Sequence, residues 1–332
     1  AVVAVWWAGD SGAAGVNEGR KGERSARCLV IGSRSGRPTI RIMRLSIALI
    51  LCLLAPLGKA FSESLVAEGA KLEEIASGFE TVEGPLYDGK GTLLFTDIPN
   101  EHIWALDTET LKKSLLHEKT EGANGLAFDG QGRLLMCKGK GRRLSRFEKD
   151  GKETVLLRPL RKNGEKEFPV GANDVVVDRS GGIYVTVPGA GMVYYLEADG
   201  SGARPIVSGL QGPNGLMLSP NETKLYVSEY KEQRLRVYEL VDGEARKGTI
   251  FAEVEEKSDY GCDGMTVDEQ GNLYCAGPHA VRVWSPEGEL LETIAMPESP
   301  TNCTFAGKGS SVLYITGRRS LFRIRMKTVG VR

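Results

Sequence analysis

Histidine is scarce in this chain: His102, His117 and His279 are the only three among 332 residues. No HExxH pair occurs, so a zincin-type centre is excluded. No GxSxG is present, so a nucleophile-elbow serine is not indicated. The six cysteines include no CxxC spacing, which argues against structural zinc. None of the glycine-rich stretches, 139–141 included, has the spacing of a phosphate loop. The longest apolar run, 45–57, is too short to span a bilayer comfortably. Beyond it no helical period of ten or more residues appears, and no Pro/Ser-rich linker divides the chain.

The zero net charge hides an asymmetry. Residues 1–60 hold nine Lys/Arg against three Asp/Glu, leaving 34 against 40 in the remainder. A nucleic-acid surface is therefore not expected in the main body. Met43-Arg44, the apolar run and Gly58-Lys59-Ala60 read as a secretory signal peptide over 43–60. Residues 1–42 read as upstream sequence outside the fold, and 61–332 as one domain. The expected location is periplasmic or extracellular, free of the membrane once the signal is cleaved. Four cysteines then remain: Cys137, Cys262, Cys275 and Cys303. They read as small buried residues of strands, although an oxidising compartment also permits a disulfide.

What is there is a repeat. Six segments open on a polar residue and run strand, Gly-containing turn, strand. They start at Glu83 (EGPLYDGKGTLLFTD), Asn124 (NGLAFDGQGRLLMC), Asn173 (NDVVVDRSGGIYVT), Asn214 (NGLMLSPNETKLYVS), Asp263 (DGMTVDEQGNLYCA) and Asn302 (NCTFAGKGSSVLYIT). The steps between them are 41, 49, 41, 49 and 39 residues. Alternating runs such as LLFTD, GIYVTV and LYVSEY, with Asp-Gly turns between, fill each unit. A period of this length with several strands per unit predicts an all-β, six-bladed β-propeller of four-stranded blades. The last unit has room for three strands, and 71–79 reads as an orphan strand ahead of the first. Pairing the two would complete the sixth blade and close the ring, leaving no open edge.

The shared phase carries the chemistry. If these strands line the axis, six side-chain oxygens meet at one mouth of the channel. Two are carboxylates and four are amides, an oxygen-only set of charge −2. It suits calcium, magnesium or manganese better than a thiolate-seeking metal. Any one of the six alone is an ordinary turn residue. Lys138, Lys140, Arg142 and Arg143 read as a solvated hairpin tip, with cations at the channel mouth as the rival. His279 reads as a surface residue rather than a proton shuttle.

Several motifs in order resemble the gluconolactonase/regucalcin (senescence marker protein) family of six-bladed propellers, over roughly 72–326. They are EGPLYDGKGTLLFTDIPN, GANDVVVDRSGGIYVT, GPNGLMLSPNETKLYVS, DGMTVDEQGNLYCAG and SPTNCTFAGKGSSVLYITG. The resemblance implies one divalent cation on the axis, calcium first, with zinc, magnesium or manganese as alternatives. It implies Glu83, Asn214 and Asp263 as ligands and Asn173 as a further ligand or substrate contact. The related diisopropylfluorophosphatases hold calcium with the same four positions. Asp263 is then the implied general base or nucleophile of a lactonase, with Asn124, Asn173 and Asn302 toward substrate. Gly171 departs from the regucalcin branch, which has a substrate-contacting Arg there, and VTVPGAG replaces FTDPPYG in the third unit. The expected activity is metal-dependent opening of a small lactone by a monomer. Two alternatives stand: hydrolysis of other esters or phosphotriesters at this site, and a non-enzymatic, calcium-containing binding propeller.

Overall fold

A computed structural model describes residues 63–158, 171–256 and 258–331. The expected leader and signal segments over 1–60 lie outside these. Twenty-four strands form six four-stranded antiparallel sheets. The first blade is β2 (Val82–Tyr87), β3 (Thr92–Asp97), β4 (His102–Asp107) and β5 (Lys113–His117). The second is β6 (Ala123–Phe128), β7 (Leu134–Lys138), β8 (Arg143–Phe147) and β9 (Glu153–Leu157). The third comprises β10 (Val175–Val177), β11 (Ile183–Val187), β12 (Met192–Leu196) and β13 (Arg204–Val207). The fourth is β14 (Pro213–Leu218), β15 (Lys224–Glu229), β16 (Arg234–Val241) and β17 (Glu244–Glu253). The fifth is β18 (Met265–Val267), β19 (Leu273–Gly277), β20 (Ala280–Trp284) and β21 (Leu290–Ala295). In the sixth, β22 (Asn302–Ala306), β23 (Val312–Thr316) and β24 (Ser320–Arg325) are joined by β1 (Glu73–Ser77), which pairs antiparallel with β24.

The first strand of each blade contacts the first strands of both neighbours, so β2, β6, β10, β14, β18 and β22 surround a common axis. The core is correspondingly divided into wedges. Phe95 and Leu106 of the first blade meet Tyr314 and Leu321 of the sixth. Ile103 and Leu94 meet Leu126 and Met136 of the second. The remaining four junctions are filled the same way. Each sheet buries both faces, which is why the second strands β3, β7, β11, β15 and β19 are buried almost throughout.

At the end away from the site, aspartates fix the inner hairpins. Asp88 Oδ1 accepts the backbone N–H of Lys90 (2.7 Å) and Thr92 (2.9 Å), and Asp129 and Asp268 repeat the turn. The four cysteines are buried and free. Among the described residues no helix is long and apolar enough to cross a membrane.

Candidate functional site on the propeller axis

Each polar phase residue lies where the inner strand begins. In three blades the pairing slips there: between Glu83 and Leu86, Ala123 and Leu126, and Pro213 and Leu216. Such a bulge re-aims side chains out of the regular alternation. In the third and fifth blades Asn173 and Asp263 precede the paired strand.

The residue after the phase position decides how closely the blades approach. At Gly84 (φ +52°) an added Cβ would collide with the Asn124 carbonyl, and at Gly264 with the Asn302 side-chain amide. Gly125 and Gly215 face Asp174 and Asp263 in the same way. The glycine of one blade therefore makes room for the phase residue of the next. Hydroxyls at the ends of the second strands secure the arrangement. Thr96 donates to the Asn124 carbonyl (3.2 Å), and Thr316 to that of Asn302 (3.2 Å).

The structure brings Glu83, Asp263 and Asn302 together and adds a third carboxylate, Asp174. Glu83 is 5% exposed. Its Oε2 accepts the Gly84 N–H (3.0 Å) and the Asn302 amide (3.1 Å). The Asn302 side chain also favours the charged form of Asp174, whose Oδ1 accepts the Val175 N–H at 2.9 Å. Asp263 is half-buried as a residue, yet its Oδ1 is sealed from solvent and has no hydrogen-bond partner among the described residues. Asn124, Asn173 and Asn214 are half-buried. Their backbones are tied down: the Asn173 N–H donates to Thr186 O (2.9 Å), and the Asn214 carbonyl accepts from Thr186. No described protein group hydrogen-bonds their side-chain amides.

Burial pushes the Glu83 carboxyl well up, and the Asp263 charge adds to it. Burial likewise raises Asp174, to about 7, against the stabilising Val175 N–H. Asp263 is raised by burial and then by Asp174, with Arg318 opposing. Three carboxylates thus share a low-dielectric space in which, among the described residues, Arg318 alone opposes the repulsion, and only at Asp263. Such a set, with one orphaned oxygen, fits a bound divalent cation, which would reverse the repulsion. No three His, Cys, Asp or Glu among the described residues could hold a metal ion by themselves. A cation here must also draw on the asparagine amides.

Asp174 is the residue that sequence reasoning missed. The signal was present: the position after the phase residue is Gly in four units, but Asp in the third and Cys in the sixth. The solvated reading of the basic hairpin needs correction at Lys138 and Arg143. Lys138 is 2% exposed and pairs with Glu153 (2.5 Å) and Glu121 (3.6 Å). Arg143 binds the same two glutamates, and Lys140 pairs with Glu101 at 2.8 Å. Lys138 and Arg143 are thus held within the second blade, whereas Lys140 and Arg142 are exposed at the tip as expected. A side chain at Gly171 would run into the Arg142 backbone and the Lys138 carbonyl, so no cation can project from there. His279 is exposed, as expected.

Comparison with known proteins agrees with this geometry. The family model described as "SMP-30/Gluconolactonase/LRE-like region" matches residues 81–319. A gluconolactonase of Zymomonas mobilis is 30% identical over 306 residues, covering 81% of this chain and 85% of that one. A lactonase of Staphylococcus aureus is 26% identical, covering 68% of this chain and 72% of its own. Among solved structures, a gluconolactonase of Xanthomonas campestris superposes with a TM-score of 0.69 at 28% identity, covering 79% of this chain and 91% of that one. The chain belongs to the SMP-30/gluconolactonase/LRE-like family and to its gluconolactonase branch.

Proposed function

We propose that the protein opens a sugar lactone at a divalent cation held by Glu83, Asn173, Asn214 and Asp263. The observation that carries this is the sealed, unpartnered Asp263 Oδ1 within a cluster of three buried carboxylates. The gluconolactonase and lactonase names of its relatives support the substrate class. When bound, the cation supplies a Lewis acid that polarises the carbonyl and acidifies water, with calcium the first choice for an all-oxygen site.

The chain's own residues do the rest. Asp263 accepts the proton of the attacking water as its oxygen bonds to the lactone carbonyl carbon. The ring C–O bond then breaks, and the proton passes from Asp263 to the departing alkoxide. General base catalysis of this kind contributes about 10²–10⁴-fold. Asn124 and Asn173 orient the ring hydroxyls. Asn302 keeps Glu83 in place, since its amide is already engaged there. We also propose export from the cell, on the strength of the 43–60 segment.

The test is proton release from a panel of sugar lactones, simple esters and phosphotriesters, with purified protein before and after chelation. Lactone opening that needs the added cation, and is lost in Asp263→Ala, is the expected result. Full activity surviving both treatments would sink the proposal.

A further inference from the structure

Arg318 stands one strand away from the carboxylate cluster. Its carbonyl accepts the N–H of Val82, the residue before Glu83, at 3.3 Å. It follows β23, whose last residue Thr316 pairs with Asn302. Its guanidinium carbon lies 4.5 Å from the centroid of the Tyr260 ring. Tyr260 leads into Gly261-Cys262-Asp263, and its ring meets His279 edge-on at 6.4 Å and 89°. Gly261 packs directly on the Tyr230 carbonyl, where no Cβ would fit. Tyr230, Tyr260 and Arg318 thus sit together on the rim beside Asp263.

Among the described residues no hydrogen bond or close ion pair satisfies the guanidinium: its Nε is buried without a hydrogen-bond partner, and no carboxylate oxygen lies within 4.0 Å of it. The contrast with the second blade is sharp, because Lys138, Lys140 and Arg143 all have glutamates. An arginine stacked on an aromatic face is held in one orientation with its planar fork still available. That arrangement suits a carboxylate or a phosphate, which accept two parallel N–H bonds. The Arg318 charge already reaches the site, where it opposes the rise at Asp263.

We propose that Arg318 is a specificity-determining residue that binds an anionic substituent of the substrate, a carboxylate or phosphate on the ring being opened. This rests on the lactonase reading for the reaction but not for the anion site. A neutral sugar lactone leaves the guanidinium without a partner beside the reacting ring. An anionic one satisfies it and is anchored at the end away from the scissile bond.

The experiment compares the cation-loaded protein on glucono-delta-lactone, on a glucarolactone carrying a carboxylate, and on the gluconolactone bearing a phosphate. The wild type is expected to favour one or both anionic lactones. Arg318→Met keeps an unbranched stem over Tyr260 and removes the fork. It should lower kcat/KM for the favoured anionic lactone by about 10–100-fold, mainly through KM, and by much less for the neutral one. Arg318→Lys should fall between. The carboxylate and phosphate arms identify the source of the anion. Equal losses on charged and neutral lactones, through kcat, would mean that Arg318 only tunes Asp263, and would overturn the inference. So would a wild type that prefers the neutral ring.

Calorimetric binding of gluconate, glucarate and phosphogluconate separates this failure from that of the reaction. No turnover on any lactone, with Arg318-dependent binding of glucarate or phosphogluconate over gluconate, overturns the lactonase reading and keeps the anion site. Identical binding by wild type and Arg318→Met overturns the anion site whatever the turnover.

Discussion

The side-chain amide of Asn302 donates to Glu83 Oε2 at 3.1 Å, across 219 residues of sequence. Beside it, the Thr301 hydroxyl donates to the Val82 carbonyl at 2.6 Å. The last blade therefore holds the first blade's carboxylate in place, and the site depends on the two ends of the repeat meeting. Replacing Asn302 with Leu leaves Glu83 Oε2 with the Gly84 N–H alone. A buried acceptor deprived of its donor costs about 1–3 kcal/mol. Weaker cation binding and a lower Tm are expected, readable by calorimetric titration and thermal unfolding. A variant that binds the cation as tightly as wild type would show that Glu83 needs no such support.

Asp174 gives an opposed pair of outcomes. Its carboxyl is held near 7 by burial, against the Val175 N–H, and it raises the neighbouring Asp263 and Glu83 carboxyls. Asp174→Asn keeps the shape and removes one of three like charges. In chelator-treated protein this should stabilise the fold, by about 1–3 kcal/mol. In the presence of calcium the same change should weaken cation affinity. Chemical denaturation with and without the cation reads both signs. A loss of stability in both states would mean that Asp174 is only a structural hydrogen-bond acceptor.

Gly264 tests whether blade spacing sets the site. A methyl group there would overlap the Asn302 amide. The strand or the amide must shift, and overpacking of this kind costs about 1–3 kcal/mol. Gly264→Ala should lower both Tm and kcat, because Asn302 leaves Glu83. Gly130→Ala, where the Cβ direction is open, is the control that should leave both unchanged.

The buried Lys138 couples the second blade to acid. Burial by itself would raise Glu153, but hydrogen bonds from Lys138, Ser145 and Arg143 carry it from its ordinary 4.5 down to about 2. The folded-state value lies below the unfolded one. The pair therefore contributes its full stability above about pH 4.5 and loses it as pH falls toward 2. Glu153→Gln should remove part of the acid sensitivity over that window and destabilise at neutral pH, since it leaves the buried Lys138 only the longer contact with Glu121 at 3.6 Å. Removing one partner of such a pair costs up to about 3–5 kcal/mol, whereas Lys138→Met with Glu153→Gln should recover much of the loss. Urea unfolding at neutral pH and near pH 3 measures each part.

The repeat and most of the site positions could be read without coordinates, because a strand's two-residue period and its Asp-Gly turns are local chemistry. The phase of Glu83, Asn124, Asn173, Asn214, Asp263 and Asn302 is likewise a property of spacing. Partnership is not. Lys138 lies in a basic run that looks solvated, yet it is buried because Glu153 and Glu121 come from other strands. Asp174 stands one residue off the shared phase, and only the packing of Gly125 against it and its effect on Glu83 and Asp263 show that it enters the cluster.

By itself, then, the sequence determined the period, the strand type and the oxygen-only chemistry of the six phase positions. Tertiary structure decided which of those oxygens are already engaged. Glu83 and Asn302 hold each other, while Asp263 Oδ1 and three amides have no hydrogen-bond partner among the described residues. The same packing leaves the Arg318 guanidinium without a hydrogen-bonded carboxylate among them. The physical reason is that a hydrogen bond or ion pair depends on distances between blades, and those are set by what the intervening glycines allow.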